Sequence, residues 1–307
     1  MTLISGGGMA IDVGYDLGHD VGLGAIDLWL VPKLREWLQE DLGRGDWSTQ
    51  GLGASDRIGE AVWIAKEAGI VAGLPIAQRV FQILDPTLEW EVGIAEGQAC
   101  DRGATCVQMR GKLGALLTGE RVALNLAMRL SGVATMTRRF VAELEGLPTQ
   151  FVDTRKTTPG LRQLEKYATR VGGALNHRMG LDDGVMLKDN HIAAAGGITA
   201  AIDRVRHRIP YPLSIEVETE SLAQVQEAVT AGADIVMLDN MSLAAMAEAV
   251  RWIRGEAKNT RVQIEASGNV SVETIRKIAL TGVDYISSSG PVTRSTWLDL
   301  SMSVKAQ

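Results

Sequence analysis

The sequence predicts an α/β protein whose C-terminal half is a parallel, TIM-like barrel, and three observations carry that reading. Short apolar runs recur at Phe151-Val152, Val185–Leu187, Leu213–Ile215, Ile235–Leu238, Val262–Ile264 and Tyr285-Ile286, each ending in polar or charged residues. Amphipathic stretches separate the later runs, with apolar stripes at Leu222, Val225, Val229, then Leu243, Met246, Val250, Ile253, then Val272, Ile275, Ala279. Ser221, Ser242 and Ser271 stand where N-caps belong, and Gly232, Gly255 and Gly282 where helices close. Finally, Gly232-Ala-Asp-Ile-Val and Gly282-Val-Asp-Tyr-Ile are near copies of one helix-to-strand junction. Buried strands alternating with helices form a parallel sheet, and this number of units suits a barrel, whole or incomplete.

The preceding half reads differently. Met1 to Gly24 holds seven glycines and no sustained period, so a loose extension is expected. From Ile26, apolar groups at Leu28, Leu30, Val31, Leu34, Trp37 and Leu38 line one side of a helix, with Pro32 marking a start or kink near its first turn. Alternation at 60–65, 69–73, 88–92 and 104–109 predicts strands, with a helix over 76–84 between them, stopped by Asp85-Pro86. A small α+β domain to about residue 115 follows, then a long helix over 118–145 joining it to the barrel.

Composition bounds the function. The 307 residues are 46% hydrophobic and 22% charged with a net charge of −6, which suits a compact chain and argues against a general nucleic-acid surface. Two cysteines, Cys100 and Cys106, make no disulfide framework and fit a reducing compartment. The first 32 residues lack Lys and Arg, and no run reaches the roughly 20 apolar residues that span a bilayer. A cytoplasmic protein without membrane or nucleic-acid partners is expected. Phosphate-loop, dinucleotide, nucleophile-elbow and zinc-peptidase motifs are all lacking.

In such a barrel the carboxyl ends of the strands form one mouth. Arg155 and Lys156 end one strand, Lys188 another, and His177-Arg178 follow the Gly172-Gly173 break of a helix capped by Thr158, with Pro159 at its first position. Cations gathered on one rim of an acidic protein imply a polyanionic substrate, since guanidinium groups grip carboxylate and phosphate through paired hydrogen bonds. His177 is a candidate ligand contact or general acid–base group. Opposite stand Glu218 and Asp239, with Glu216, Asp189 and Glu265 as weaker candidates, offering oxygens to Mg²⁺ or ribose hydroxyls. Ser267-Gly268-Asn269 and Ser288-Ser289-Gly290 end the last two strands, the common phosphate position.

Asp153-Thr-Arg-Lys-Thr-Thr-Pro-Gly-Leu-Arg, Gly172-Gly-Ala-Leu-Asn-His-Arg-Met-Gly-Leu-Asp-Asp, Lys188-Asp-Asn-His, Glu120-Arg-Val-Ala-Leu-Asn, Arg129-Leu-Ser-Gly-Val-Ala-Thr and Ile264-Glu-Ala-Ser-Gly-Asn together resemble the quinolinate phosphoribosyltransferases, in order, over about residues 28 to 303. That resemblance implies an N-terminal α/β sandwich at 26–131 after a flexible extension at 1–25. It also implies an open TIM-like α/β barrel at 132–291, with 292–307 packing back on the first domain. The implied reaction moves the 5-phosphoribosyl group of phosphoribosyl pyrophosphate onto quinolinate, releasing pyrophosphate and CO₂ and leaving nicotinate mononucleotide for NAD biosynthesis. By motif match Arg121 reaches a partner's site in a homodimer or hexamer, joining Arg155, His177, Arg178 and Lys188 around quinolinate. Thr154, Lys156, Lys188, Glu218, Asp239, Ser267, Gly268, Asn269, Ser288, Ser289 and Gly290 match the phosphoribosyl pyrophosphate positions. Lys156, Glu218 and Asp239 are the expected catalytic groups, the two carboxylates acting with Mg²⁺ held through pyrophosphate. Many relatives have Gly where Ser289 stands. On the residues alone, a barrel paralogue acting on another aromatic acid and a non-catalytic polyanion sensor remain open.

Overall fold

In the computed structural model, residues 23–53, 55–256 and 261–306 are described, so the expected extension lies outside them except where α1 (Leu23–Leu42) begins. That helix runs through Pro32 rather than starting or ending there. Proline removes one intrahelical bond, and the burial of Leu30, Leu34 and Leu38 against the domain core opposes the loss. A short helix α2 (Trp47–Gly51) follows, capped by Asp46, whose carboxylate accepts from Thr49 N–H at 3.0 Å.

The first domain is built from β1 (Ile58–Ala65), β2 (Gly69–Ile70), α3 (Leu74–Leu84), β3 (Glu89–Val92), β4 (Ala99–Cys100) and β5 (Thr105–Lys112). The last strand of the chain, introduced below, joins β1, β5 and β3 in one antiparallel sheet. One face is apolar: Ala61, Trp63, Val107 and Met109 are buried with Phe81 of α3, and Trp63 meets Phe81 and Trp90 edge-on at 6.2 and 5.9 Å. The other face carries Glu60, Gln108, Arg110 and Lys305, as period-two alternation requires.

From β5 the chain enters α4 (Leu113–Ala142), which starts five residues earlier than expected and packs on both α3 and the barrel. The barrel follows as β6 (Gln150–Val152), α5 (Arg162–Val171), β7 (Val185–Leu187), α6 (Asp189–Ala195), α7 (Ile198–Arg206), β8 (Ile215–Thr219), α8 (Leu222–Thr230) and β9 (Ile235–Asp239). It ends with α9 (Leu243–Arg251), a π-turn at Trp252–Glu256, β10 (Gln263–Ser267), α10 (Val272–Ala279), β11 (Tyr285–Ser287) and α11 (Gly290–Thr293). The six strands are parallel in the order β6-β11-β10-β9-β8-β7, with β6 and β7 as the edges, so the barrel is open. Finally β12 (Leu300–Ala306) pairs antiparallel with β1, bringing the chain's end onto the first domain. This return needs a close approach: a Cβ on Gly132 of α4 would sit 1.9 Å from the Thr296 carbonyl oxygen.

Three local expectations are corrected. Helix α5 starts at Arg162, not Pro159, because Thr158 donates its N–H and hydroxyl to Glu165, at 2.8 Å each, instead of capping. Gly255 lies inside the π-turn and closes no helix, whereas Gly232 and Gly282 take the left-handed φ of closing residues, +88° and +92°. The third apolar run continues through Thr219, so Glu216 and Glu218 are strand residues pointing to one face rather than a polar ending.

The copied junctions have a common cause. Asp234 Oδ2 accepts from Ile215 N–H at 2.8 Å and from Arg206 at 2.9 Å; Asp284 Oδ2 accepts from Ile264 N–H at 2.7 Å and from Arg254 at 2.5 Å. Each aspartate thus fixes an N–H at the amino end of a neighbouring strand, Ile215 opening β8 and Ile264 standing second in β10. Asp284→Ala, which strands the Ile264 N–H, is expected to cost about 1–3 kcal/mol in urea unfolding; a change below about 0.5 kcal/mol would show that the clamp is dispensable.

Candidate active site

Alternation places Glu216 and Glu218 of β8, Met237 and Asp239 of β9, and Glu265 and Ser267 of β10 on one face of the sheet, with Glu218, Asp239 and Ser267 toward its carboxyl end. Apart from Met237, these are polar side chains in place of the apolar filling that a barrel strand otherwise carries. Beside them, Arg155 is half-buried and Lys156 exposed, the latter's N–H donating to Thr154 Oγ1 at 3.1 Å. Arg178 is half-buried and donates to Gly184 O at 2.7 Å. Burial, and then the like charge of Arg155, lower the pKa of its guanidinium. The segments that carry the two cations are joined where the His177 N–H donates to Asp153 Oδ1 at 2.9 Å, an arrangement that favours an anion between them. Lys188 pairs with Glu218.

His177 is held differently from what a ligand contact suggests. Its backbone N–H donates to Asp153 Oδ1 at 2.9 Å and its carbonyl accepts from Lys166 Nζ at 2.7 Å. Its Nδ1 accepts from the Arg178 N–H at 2.7 Å, and its Nε2 faces Glu216 at 3.1 Å and Glu265 at 3.5 Å. Every polar atom of His177 is thus engaged within the protein, and the residue ties the mouth to the buried carboxylates.

Those carboxylates are 3% exposed, and Glu216 Oε1 and Glu265 Oε1 have no hydrogen-bond partner among the described residues. Burial would lower the imidazole's pKa, but the two glutamates outweigh it and push it up to about 10. Burial also raises Glu216, with Glu265 adding to the rise. The Arg178 N–H, however, needs a lone pair on Nδ1, which an imidazolium lacks. The retained proton therefore belongs to His177 and Glu216 as a pair, with Nε2–H directed at the glutamates. His177, Glu216 and Glu265 offer ligand atoms within 4.8 Å of one another, the spacing of a metal cage. A protonated Nε2 donates rather than ligates, so the geometry favours the proton.

The strand ends at β9 and β10 hold a turn that spacing alone only partly exposes. Asn240 and Asn269 both take left-handed φ values, 53° and 51°, and Asn269 Nδ2 donates to Asn240 Oδ1 at 3.2 Å. Gly268 at φ +93° lies against them: a Cβ there would meet Asn240 Oδ1 at 2.1 Å. Such backbone strain gathers at ligand sites, and Asn240 is a member of this turn that the sequence reading missed. The only sequence cue is its place after Asp239. At β11, Ser288 Oγ accepts from Gly290 N–H at 3.1 Å, and Ser289 O accepts from Val292 and Thr293 N–H, opening α11.

Arg121 stands elsewhere, on α4. It is 59% exposed, lies 3.9 Å from Glu120, and borders a cavity of about 290 Å³ with Trp37, Glu40, Asp41, Asn125 and Leu161. Asp189 is exposed at the start of α6.

Comparison with known proteins matches this arrangement to one family. The model described as "Quinolinate phosphoribosyl transferase, N-terminal domain" matches residues 46–131, and its C-terminal counterpart matches 133–303. The chain is 60% identical over 278 residues to a probable nicotinate-nucleotide pyrophosphorylase (carboxylating) of Synechocystis sp., covering 90% of this chain and 93% of that protein. A Bacillus subtilis protein of the same description is 43% identical over 280 residues, covering 90% and 94%. Among solved structures, NadC from Streptococcus pyogenes superposes with a TM-score of 0.87 at 40% identity, covering 92% of this chain and 98% of that one.

Since the His177 cluster holds its proton more tightly when folded, the stability it contributes is fully present below the free imidazole's pKa and is lost as pH rises through about 10. The stability gap between the wild-type chain and His177→Asn, from urea midpoints, is expected to narrow from pH 7 to pH 10. A gap that stays constant would show that no proton is held there.

Proposed function

The chain belongs to the quinolinate phosphoribosyltransferase family, and on that premise we propose how its barrel mouth divides the work. The reaction joins quinolinate to the 5-phosphoribosyl group of phosphoribosyl pyrophosphate, giving nicotinate mononucleotide, pyrophosphate and CO₂ on the route to NAD. The observation that carries our assignment is the joining of the segments of half-buried Arg155 and Arg178 through Asp153, Lys166 and the His177 backbone, with Lys188 paired to Glu218 of β8.

On this reading Arg155 and Arg178 take the two carboxylates of quinolinate, and His177 supports them from beneath. Lys188 stands between the substrates: paired with Glu218, it can turn its charge to an arriving anion. Lys156 and Thr154 face the pyrophosphate. Ser267, Gly268 and Asn269, with Ser288, Ser289 and Gly290, form the turns that cradle the 5-phosphate; the Ser288 and Gly290 N–H groups shape their turn by donating to Val152 O and Ser288 Oγ, which leaves the Ser267 and Ser289 hydroxyls and the backbone of Gly268, Asn269 and Ser289 to meet the anion. Glu218 and Asp239, at the ends of neighbouring strands, are hard oxygen donors of the kind Mg²⁺ takes together with a phosphate ligand. When bound, Mg²⁺ would neutralise charge on the departing pyrophosphate.

Cleavage of the ribose C1–O bond builds positive charge on the sugar, which Glu218 and Asp239 stabilise as fixed carboxylates, without a covalent intermediate. The ring nitrogen then attacks C1. Once quaternised, its positive charge stabilises the carbanion left on the adjacent ring carbon when that carbon's carboxylate departs as CO₂, and a proton from water then takes the vacated position. Positioning of two polyanions side by side supplies much of the rate.

The exposure of Arg121 on α4, away from its own chain's mouth contacts, supports a homodimer, alone or within a hexamer, in which Arg121 serves the partner's site. Free, buried Cys100 and Cys106 favour the cytoplasm, and no helix among the described residues is long and apolar enough to cross a membrane.

Purified protein with Mg²⁺, phosphoribosyl pyrophosphate and quinolinate is expected to release pyrophosphate and CO₂ together, and neither with nicotinate. Binding without release would favour a sensor, and turnover of another acid a paralogue. Arg121→Ala and Lys156→Ala are each expected to be inactive, and their mixture to recover up to roughly a quarter of wild-type activity through hybrid dimers. No recovery despite demonstrated subunit exchange would exclude the shared site.

A further inference from the structure

The deepest charged pair in the barrel lies outside the assigned site. Lys166 of α5 and Asp153, the residue after β6, have side chains only 1% and 2% exposed, with Nζ 2.5 Å from Asp153 Oδ1. The aspartate also accepts from Thr169 Oγ1 at 2.8 Å and Asn176 Nδ2 at 2.6 Å through Oδ2, and from His177 N–H at 2.9 Å through Oδ1. Lys166 sends a second bond to His177 O at 2.7 Å.

A buried pair of this kind adds little net stability over an apolar pair of equal volume, because both charges must leave water. What it supplies here is direction. Asp153 leads directly into Thr154-Arg155-Lys156, and His177 leads directly into Arg178. The pair therefore joins the two chain segments that carry the adjacent guanidinium groups, which repel each other when no anion lies between them.

We propose that Lys166 is a positioning residue for quinolinate: with Asp153 it grips the backbone of His177 at both N–H and C=O, and so holds Arg178 at a fixed distance from Arg155. This rests on the assignment of Arg155 and Arg178 to quinolinate, and the two claims fail separately. No substrate contact is assigned to Lys166 itself, and its ammonium is fully engaged inside the fold.

The test uses Lys166→Met, the double variant Asp153→Asn/Lys166→Met, and Arg178→Ala in the full chain, with quinolinate binding by calorimetry, steady-state KM values and thermal unfolding. Lys166→Met is expected to unfold at lower temperature and to raise the quinolinate Kd and KM on the order of ten- to a hundred-fold, with the KM for phosphoribosyl pyrophosphate within about two-fold of wild type. The double variant, freed of the unpaired buried carboxylate, is expected to regain most of the lost thermal stability but not the affinity for quinolinate. Recovery of affinity together with stability would reduce Lys166 to a structural role and overturn the proposal, as would equal losses for both substrates. A double variant that stays unfolded would make the pair a folding requirement and overturn it too. If Arg178→Ala leaves quinolinate binding unchanged, the assignment of Arg178 fails, whatever Lys166 does.

Discussion

Asp153 is the point on which the basic side of the mouth depends. One buried carboxylate accepts from Lys166, Thr169, Asn176 and the His177 N–H, so α5, the segment after it and the end of β6 meet at a single charge. That convergence explains why a stretch as irregular as 172–184 can carry functional groups. Loops without secondary structure owe their shape to side chains, and here the side chains lie in the dry interior, where a hydrogen bond is strong and an unmade one costly.

A second network secures the same region from the first domain. Arg129 of α4 binds Glu165 through Nε and Nη2 at 3.2 and 2.7 Å, and reaches Ser295 and the Val292 carbonyl. Glu165, fully buried, then holds Thr158. Glu96 of the first domain accepts from Gly73 and Leu74 N–H and from Tyr167 of α5, and burial pushes its carboxyl up to about 6. Helix α5 is therefore pinned on successive residues, Glu165, Lys166 and Tyr167, to α4, β6 and the first domain. The loop of Arg155 and Lys156 spans the gap between two such anchors and needs no helix of its own.

Much of this was legible in the sequence, and the limit has a physical cause. Apolar runs and serine caps located the strands and the helices α8, α9 and α10, because those elements bury one face and follow the periods that burial imposes. Where charge is buried, periodicity misleads. Glu216 and Glu218 looked like the polar end of a strand and are part of it, and Glu165 and Lys166 of α5 are buried although nothing in the apolar pattern marks them. A charged residue reads as exposed unless its partner is known, and the partners of Lys166 and Glu165 lie 13 and 36 residues away. Asn240 escaped for another reason, since a left-handed asparagine leaves no trace in hydrophobic pattern.

The His177 cluster shows how such burial serves chemistry. Two buried glutamates, each with an unpaired oxygen among the described residues, would, without His177, be a costly pair of like charges in a low dielectric. With it, Nε2 lies against both carboxylates and the ring is fixed, while the ring fixes the Arg178 N–H. The negative charge below the mouth also opposes the repulsion between Arg155 and Arg178, so that, on the proposed assignment, the cations can be held ready before any anion arrives. A site for two polyanions must be strongly positive when full and still tolerable when empty. Carboxylates placed one layer down, out of hydrogen-bonding reach of solvent, meet both demands, because they lower the cost of gathering the cations without competing for the face that the substrates occupy.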